Sequence, residues 1–349
     1  QSGSGKTVAF LVSMLLHVDP EKHCPQTICL CHTRELTMQT FKVFEDMNKY
    51  TKFTGATCVN NNADNSEAPD GKAQLLFGTP TSFTYWIKNG KLDVSQVNFL
   101  VIDEADAILD RNSTLFPSTK SLLNKLLPQN VQYGFFSSTF KNSIIEFIKK
   151  KRPNIITIRL NRNQQRVQTV EHWYTKVATE NEAFCAIFDL VTSVSKGQTY
   201  VFTRSKKLVK EIADFLEPKG VSCKAFSSDL TPQERDKTLD EFRNEEFKVL
   251  ISSDVLARGI DIPNTYLVIN YQTPIQFVPL PRDRFVYQSQ DQNQNQSKNE
   301  KRSFPDCDTY YHRAGRAGRF GRSGICFTIV TDDRDERNLK TFCSSLYLN

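Results

Sequence analysis

The chain has 349 residues, 39% of them hydrophobic, and a formal net charge of +6. That length suits two domains with packed cores, and no apolar run approaches the length needed to cross a membrane. The nine cysteines are scattered and form no Cys-x-x-Cys pair, while Cys29, Cys31 and Cys326 lie inside apolar runs. This argues against a disulfide framework or a zinc site and for a reducing compartment. The mild positive charge suits polyanionic partners without requiring them.

In chain order, a glycine-rich turn runs into a helix over Lys6–Leu16. Strands are then expected at Thr27–Cys31, Ala56–Asn60, Gln74–Gly78, Phe99–Asp103, Gln132–Ser137 and Ile155–Ile158. Helices are expected between them at Arg34–Lys49, Thr81–Asn89, Ser118–Leu127 and Asn142–Lys150. Such alternation predicts a parallel sheet covered by helices on both faces, with its chemistry at the carboxyl ends of the strands. The polar stretch Asn161–Thr169 reads as a linker.

The alternation then restarts with strands at Glu171–Val177, Thr199–Thr203, Ser222–Ala225, Lys248–Ser252, Tyr266–Asn270 and Ile325–Val330. Helices are expected at Glu182–Val194, Lys206–Leu216 and Pro232–Arg243, with a last one after the final strand. The expected organisation is a first domain over residues 1–162, a linker over 163–170 and a second domain over 171–349. The Asn/Gln-rich segment near 276–308 has almost nothing apolar to bury and reads as a disordered surface insertion.

Two runs carry the chemistry. In Ser2-Gly-Ser-Gly-Lys-Thr7, Gly3 and Gly5 let the backbone curl around a phosphate. Ser2 and Ser4 belong to the same cradle, Lys6 brings a point charge to the β- and γ-phosphates, and Thr7 offers its hydroxyl to Mg2+. In Asp103-Glu-Ala-Asp106, which follows the apolar run Phe99–Ile102, Asp103 is placed to hold Mg2+. Glu104 is placed to polarise an attacking water. An acidic helix start would explain the carboxylates alone, but the apolar run before them points to a strand end. The glycine pattern formally needs a residue before Gln1, so the sequence reads as N-terminally truncated.

With these motifs in this order, the chain resembles the DEAD-box family of ATP-dependent RNA helicases. His32-Thr-Arg-Glu-Leu36 resembles a family motif that touches the RNA backbone, with His in place of Pro. Gly78-Thr79-Pro80 matches the start of Thr-Pro-Gly-Arg, but Thr81 and Ser82 replace the Gly and Arg. The family's Gly-Gly motif is not recognisable between Val59 and Leu75. Ser137-Ser-Thr139 stands where the family has Ser-Ala-Thr. Further along, Phe202-Thr-Arg-Ser-Lys206, Ser253-Asp-Val-Leu-Ala-Arg-Gly-Ile-Asp261 and Tyr311-His-Arg-Ala-Gly-Arg-Ala-Gly-Arg319 resemble the motifs of its second domain.

The resemblance implies two tandem RecA-like α/β domains, each a mostly parallel sheet with helices on both faces. It also implies ATP and Mg2+ as cofactors and ATP-driven separation of short duplexes or remodelling of RNA–protein complexes. By the same resemblance, Gly259 and Asp261 join the nucleotide site, Arg316 and Arg319 are catalytic, and Asp106, Ser137, Thr139 and His312 couple hydrolysis to RNA. RNA contacts fall on Thr33, Arg34, Gly78, Thr79, Ser205 and Ser253. These groups suit phosphate and sugar, so single-stranded or short duplex RNA would be held without regard to sequence.

Arg316 and Arg319 lie three apart, and read as one helical turn they point to one spot. Within the family, the stronger resemblance is to the mRNA-export helicase of the nuclear pore's cytoplasmic face, with a related export and splicing helicase as runner-up. That implies nuclear-pore or translation-factor regulators, a monomer free of membrane, and a place in the cytoplasm, the nucleus or at the pore. A non-catalytic ATP-gated RNA clamp and a DNA helicase on the same architecture are the competing readings. Lys6, Asp103, Glu104, Arg316 and Arg319 are all present, which weighs against the first. The Asp-Glu-Ala-Asp form weighs against the second.

Overall fold

The structure, a computed structural model, describes residues 4–59, 69–159, 169–254, 260, 262, 264–279, 301–319 and 321–346. The chain divides into two compact units, the first covering Gln1–Arg166 and the second starting at Val167. Among the described residues, no helix is long and apolar enough to cross a membrane.

The first unit is one parallel sheet. Its strands are β1 (Thr27–Leu30), β2 (Gly55–Cys58), β3 (Leu75–Gly78), β4 (Phe99–Ile102) and β5 (Gln132–Phe135), in the order β2-β3-β1-β4-β5. Alternation along the strands sends Ile28, Leu30, Leu76, Leu100 and Ile102 to one face and Cys29, Leu75, Phe77, Phe99 and Val101 to the other. Both faces are apolar because both are covered, as all-parallel sheets require.

Helices α1 (Lys6–Leu16) and α2 (Arg34–Met47) cover the second of these faces through Phe10, Leu11, Met14, Leu36 and Phe44. Helix α3 (Pro80–Lys88) packs Phe83 and Trp86 on the first face, and α6 (Asn142–Lys151) adds Ile144 and Ile148. The short helices α4 (Ala105–Ile108) and α5 (Phe116–Ser121) lie between β4 and β5.

The second unit is a six-stranded parallel sheet. It is built from β6 (Val170–Lys176), β7 (Gln198–Phe202), β8 (Cys223–Phe226), β9 (Val249–Ser252), β10 (Thr265–Tyr271) and β13 (Gly324–Val330), in the order β6-β13-β10-β7-β9-β8. Helices α7 (Glu180–Asp189) and α8 (Lys206–Leu216) cover one face, packing Ile187, Val209 and Ile212 on Val201, Ile251 and Ile269. Helices α9 (Pro232–Arg243), α10 (Cys307–Ala314) and α11 (Asp333–Leu346) complete the unit. Tyr200 meets Phe242 of α9 edge-on, and Tyr310 of α10 stacks on Phe342 of α11.

Three expectations change. Ile155–Ile158 forms no strand; a β-branched run becomes a strand only where a neighbour's backbone accepts it. The segment read as a disordered insertion has ordered flanks, since β11 (Ile275–Pro279) and β12 (Lys301–Pro305) pair antiparallel and α10 begins at Cys307; residues 280–300 lie outside the described ones. The expected linker ends early, because Val170 already opens β6; residues 160–168 also lie outside the described ones.

Gly78 shows how tightly the first sheet closes. A Cβ there would collide with the Cys58 carbonyl on β2 and stand 2.9 Å from the Phe83 ring. Gly78→Ala is therefore expected to cost about 1–3 kcal/mol through overpacking. A denaturant melt that leaves the midpoint unchanged would contradict this contact.

Candidate active site

Gly5 ends the glycine-rich turn with φ 80, the left-handed conformation that glycine adopts without a Cβ penalty, and Lys6 begins α1. The Lys6 ammonium donates to Ser138 Oγ at 3.2 Å. Ser4 is exposed and Thr7 half-buried at this helix start. Ser2 and Gly3 lie outside the described residues, as do Gly259 and Asp261.

At the end of β4 the Asp103 amide donates to Leu30 O (3.0 Å), and its side chain turns back to accept from the Glu104 amide at 2.9 Å. Glu104 has φ 48 and ψ 50. A side-chain-bearing residue held there costs about 1–3 kcal/mol. The Ala105 amide fixes the turn from the other side by donating to Phe136 O at 2.9 Å.

Asp103 is buried, and burial followed by the neighbouring Glu104 charge pushes its carboxyl up to about 7, while the Glu104 amide and Lys6 pull against them. Two adjacent carboxylates are thus held away from water with one ammonium nearby. That set of hard oxygen donors is of the kind that could hold a divalent cation.

Asp106 joins the two strand ends. Its carboxylate accepts from Ser137 Oγ and from Thr139 Oγ1, each at 2.7 Å, and the Ser137 hydroxyl also accepts from the Thr139 amide at 3.2 Å. The structure therefore brings Lys6, Asp103, Glu104, Asp106, Ser137 and Thr139 to the carboxyl ends of β4 and β5.

Two predicted RNA contacts serve as helix caps. Thr33 Oγ1 accepts from the Leu36 amide (3.2 Å) at the start of α2, and Thr79 Oγ1 accepts from the Ser82 amide (3.4 Å) at the start of α3. Arg34 opens α2. Because β1 and β3 are neighbours, with Leu30 paired to Gly78, these two helix starts stand over adjacent strand ends. In the second unit, Ser205 precedes α8 after β7, and Ser253 follows β9.

His312 lies on α10, but Arg316 and Arg319 do not. The helix stops at Ala314 and Gly318 turns with φ 67, so the two arginines sit on a turn rather than on one helical face. Each is steadied by its own Nε, which donates to the carbonyl four residues back: Arg316 to His312 O (3.1 Å) and Arg319 to Gly315 O (2.8 Å). Arg313, which lies in the same motif and was given no role there, is buried, a position that only the packing reveals.

Two all-parallel α/β units, the first setting the lysine of a glycine-rich turn against strand-end carboxylates, define the P-loop class of nucleotide-binding proteins. The DEAD/DEAH box helicase profile matches residues 1–147, and the helicase conserved C-terminal domain matches residues 180–321. The ATP-dependent RNA helicase DBP5 of Saccharomyces cerevisiae is 32% identical over 332 residues, 95% of this chain. The chain spans 63% of that relative's length.

The solved S. cerevisiae Dbp5 bound to RNA and ADP BeF3 superposes with a TM-score of 0.83 at 33% identity, covering 99% of this chain and 81% of that one. A second S. cerevisiae Dbp5 structure, of a point variant bound to Nup159, a variant Gle1, IP6 and ADP, gives 0.60 at 30% identity, covering 99% and 82%. The chain belongs to the DEAD/DEAH box helicase family. Its two sheets are the tandem RecA-like domains of that family.

Proposed function

We propose that this chain is the catalytic core of an ATP-dependent RNA helicase, an RNA-stimulated ATPase that opens short duplexes or remodels RNA–protein complexes. The observation that carries the reading is the convergence of Lys6, Asp103, Glu104 and the Asp106–Ser137–Thr139 cluster at the ends of β4 and β5. The likeness to Dbp5 bound to RNA and ADP BeF3 supports it.

In this mechanism Lys6 lays its charge on the β- and γ-phosphates of ATP. Glu104 orients the attacking water and takes its proton. Arg316 and Arg319 stabilise the negative charge that spreads over the transferred phosphoryl oxygens. Mg2+, when held by Asp103 and Thr7, neutralises phosphate charge. Asp106 carries the change at the β4 end to the Ser137–Thr139 turn through its two hydroxyl partners.

The paired starts of α2 and α3 offer backbone N–H groups and Arg34 to RNA phosphates. Ser205 and Ser253 supply hydroxyls from the second unit. Such contacts ignore base identity. The likeness to Dbp5 bound to Nup159, Gle1 and IP6 supports regulators of the same kind, and a role in mRNA export at the cytoplasmic side of the nuclear pore.

The test is steady-state ATPase with and without single-stranded RNA, across a salt series, with DNA of the same sequence as control. RNA should stimulate turnover, its affinity should fall with salt, and DNA should be inert. Equal stimulation by DNA, or none by RNA, would refute the assignment. Asp106→Asn weakens both charge-assisted hydroxyl bonds and is expected to uncouple the reaction. Duplex separation should fall about tenfold or more while ATP binding persists. Wild-type unwinding by this variant would remove Asp106 from the coupling role.

A further inference from the structure

The turn after β5 divides its hydroxyls between two partners. Ser137 and Thr139 both donate to Asp106. Ser138, between them, accepts from the Lys6 ammonium at 3.2 Å, across 132 residues of chain. Ser138 is buried, with 5% of its surface exposed. Buried polar groups are held by the partners they find, so its oxygen is a fixed acceptor. The family motif Ser-Ala-Thr has alanine where this chain has Ser138, and alanine offers no acceptor at all.

Lys6 thus stands between two strand ends. Its charge favours the ionised Asp103 carboxyl at the end of β4, and its N–H meets Ser138 beyond the end of β5. A lysine side chain is flexible and loses much rotamer freedom when its ammonium is fixed. A partner that fixes the ammonium in advance lowers the ordering cost left for ligand binding. The ammonium carries three N–H groups, so two can serve the β- and γ-phosphates while the third stays on Ser138.

We propose that Ser138 is a positioning residue for the phosphate-binding lysine, holding Lys6 where the β- and γ-phosphates of ATP meet its ammonium. This rests on the function proposed above. Ser138 touches no phosphate in this scheme and acts through Lys6.

The experiment compares the whole chain with Ser138→Ala, Lys6→Ala and the double variant. Equilibrium binding of a labelled non-hydrolysable ATP analogue is measured, with steady-state ATPase over an ATP series at saturating RNA, and melting by circular dichroism. Ser138→Ala should weaken the analogue and raise KM for ATP roughly three- to tenfold, the scale of one hydrogen bond to a charged group. Its kcat and Tm should change little, because a lysine placed in advance serves ground state and transition state alike. In the Lys6→Ala background, Ser138→Ala should cost no further affinity, because the interaction has already been lost.

Unchanged or tighter ATP binding by Ser138→Ala overturns the inference. So does a loss that falls on kcat or Tm instead, or one that recurs undiminished in the Lys6→Ala background. Should Lys6→Ala bind too weakly to measure, the split between KM and kcat in Ser138→Ala decides alone. Absence of ATP binding by the unsubstituted chain overturns the proposed function itself, and the inference with it.

Discussion

Glu104→Gln should leave ATP bound and lower turnover by about 10²–10⁴-fold, the span that a positioned general base supplies. The amide has the shape of the carboxylate and carries no helix or strand penalty at this turn. Glu104 already sits at φ 48, and two bonds that hold the turn are donated by backbone amides: its own to the Asp103 carboxylate and that of Ala105 to Phe136 O. The substitution therefore removes proton acceptance and one negative charge while the turn stays in place. Single-turnover hydrolysis alongside equilibrium binding of a labelled ATP analogue separates the two quantities. Undiminished hydrolysis would take Glu104 out of the chemistry.

Arg319→Ala should lower kcat by about a thousandfold or more, in the range of arginines that stabilise phosphoryl-transfer charge. In the proposed mechanism the arginine serves charge that develops during transfer, so the loss should appear in kcat rather than in ATP affinity. The bond from Nε to Gly315 O aims the guanidinium without calling on the helix. Arg319→Lys keeps a charge but not the planar fork, and should rescue little. The same kinetic series on Arg316→Ala asks whether the two residues of the turn act as one unit. Unchanged turnover in Arg319→Ala would reduce the arginine to a cap on its own turn.

Much of the site was legible because its residues are neighbours in sequence. Gly5-Lys6-Thr7 and Asp103-Glu104-Ala105-Asp106 each lie within one turn of chain, so local order already brings their groups together. The parallel sheets were legible for a related reason. Strands buried on both faces read as short continuous apolar runs, and Phe99–Ile102 and Val249–Ser252 are buried throughout. The bounds of α1, α8 and α9 could be read from amphipathic runs bracketed by Gly5, Ser205 and Thr231.

Where local pattern misled, the cause was either backbone geometry or a partner far along the chain. Arg316 and Arg319 have helical spacing, yet Gly315 and Gly318 end the helix, and spacing alone cannot show that. The Gln- and Asn-rich composition around 288–298 drew attention from two short flanking strands, which pair with each other. Thr33 and Thr79, read as ligand hydroxyls, also cap their own helix starts, a second role that residue type alone did not show.

The class of protein, the glycine-rich turn and the strand-end acids could be read from the chain alone, since they depend on residues a few bonds apart. It took packing across the fold to place Glu104 in a left-handed turn, to gather Ser137 and Thr139 on Asp106 from 31 and 33 residues away, and to bury Arg313 among three strand exits. Those outcomes follow from desolvation and from hydrogen bonds that must be closed across the fold. No local stretch of chain specifies them.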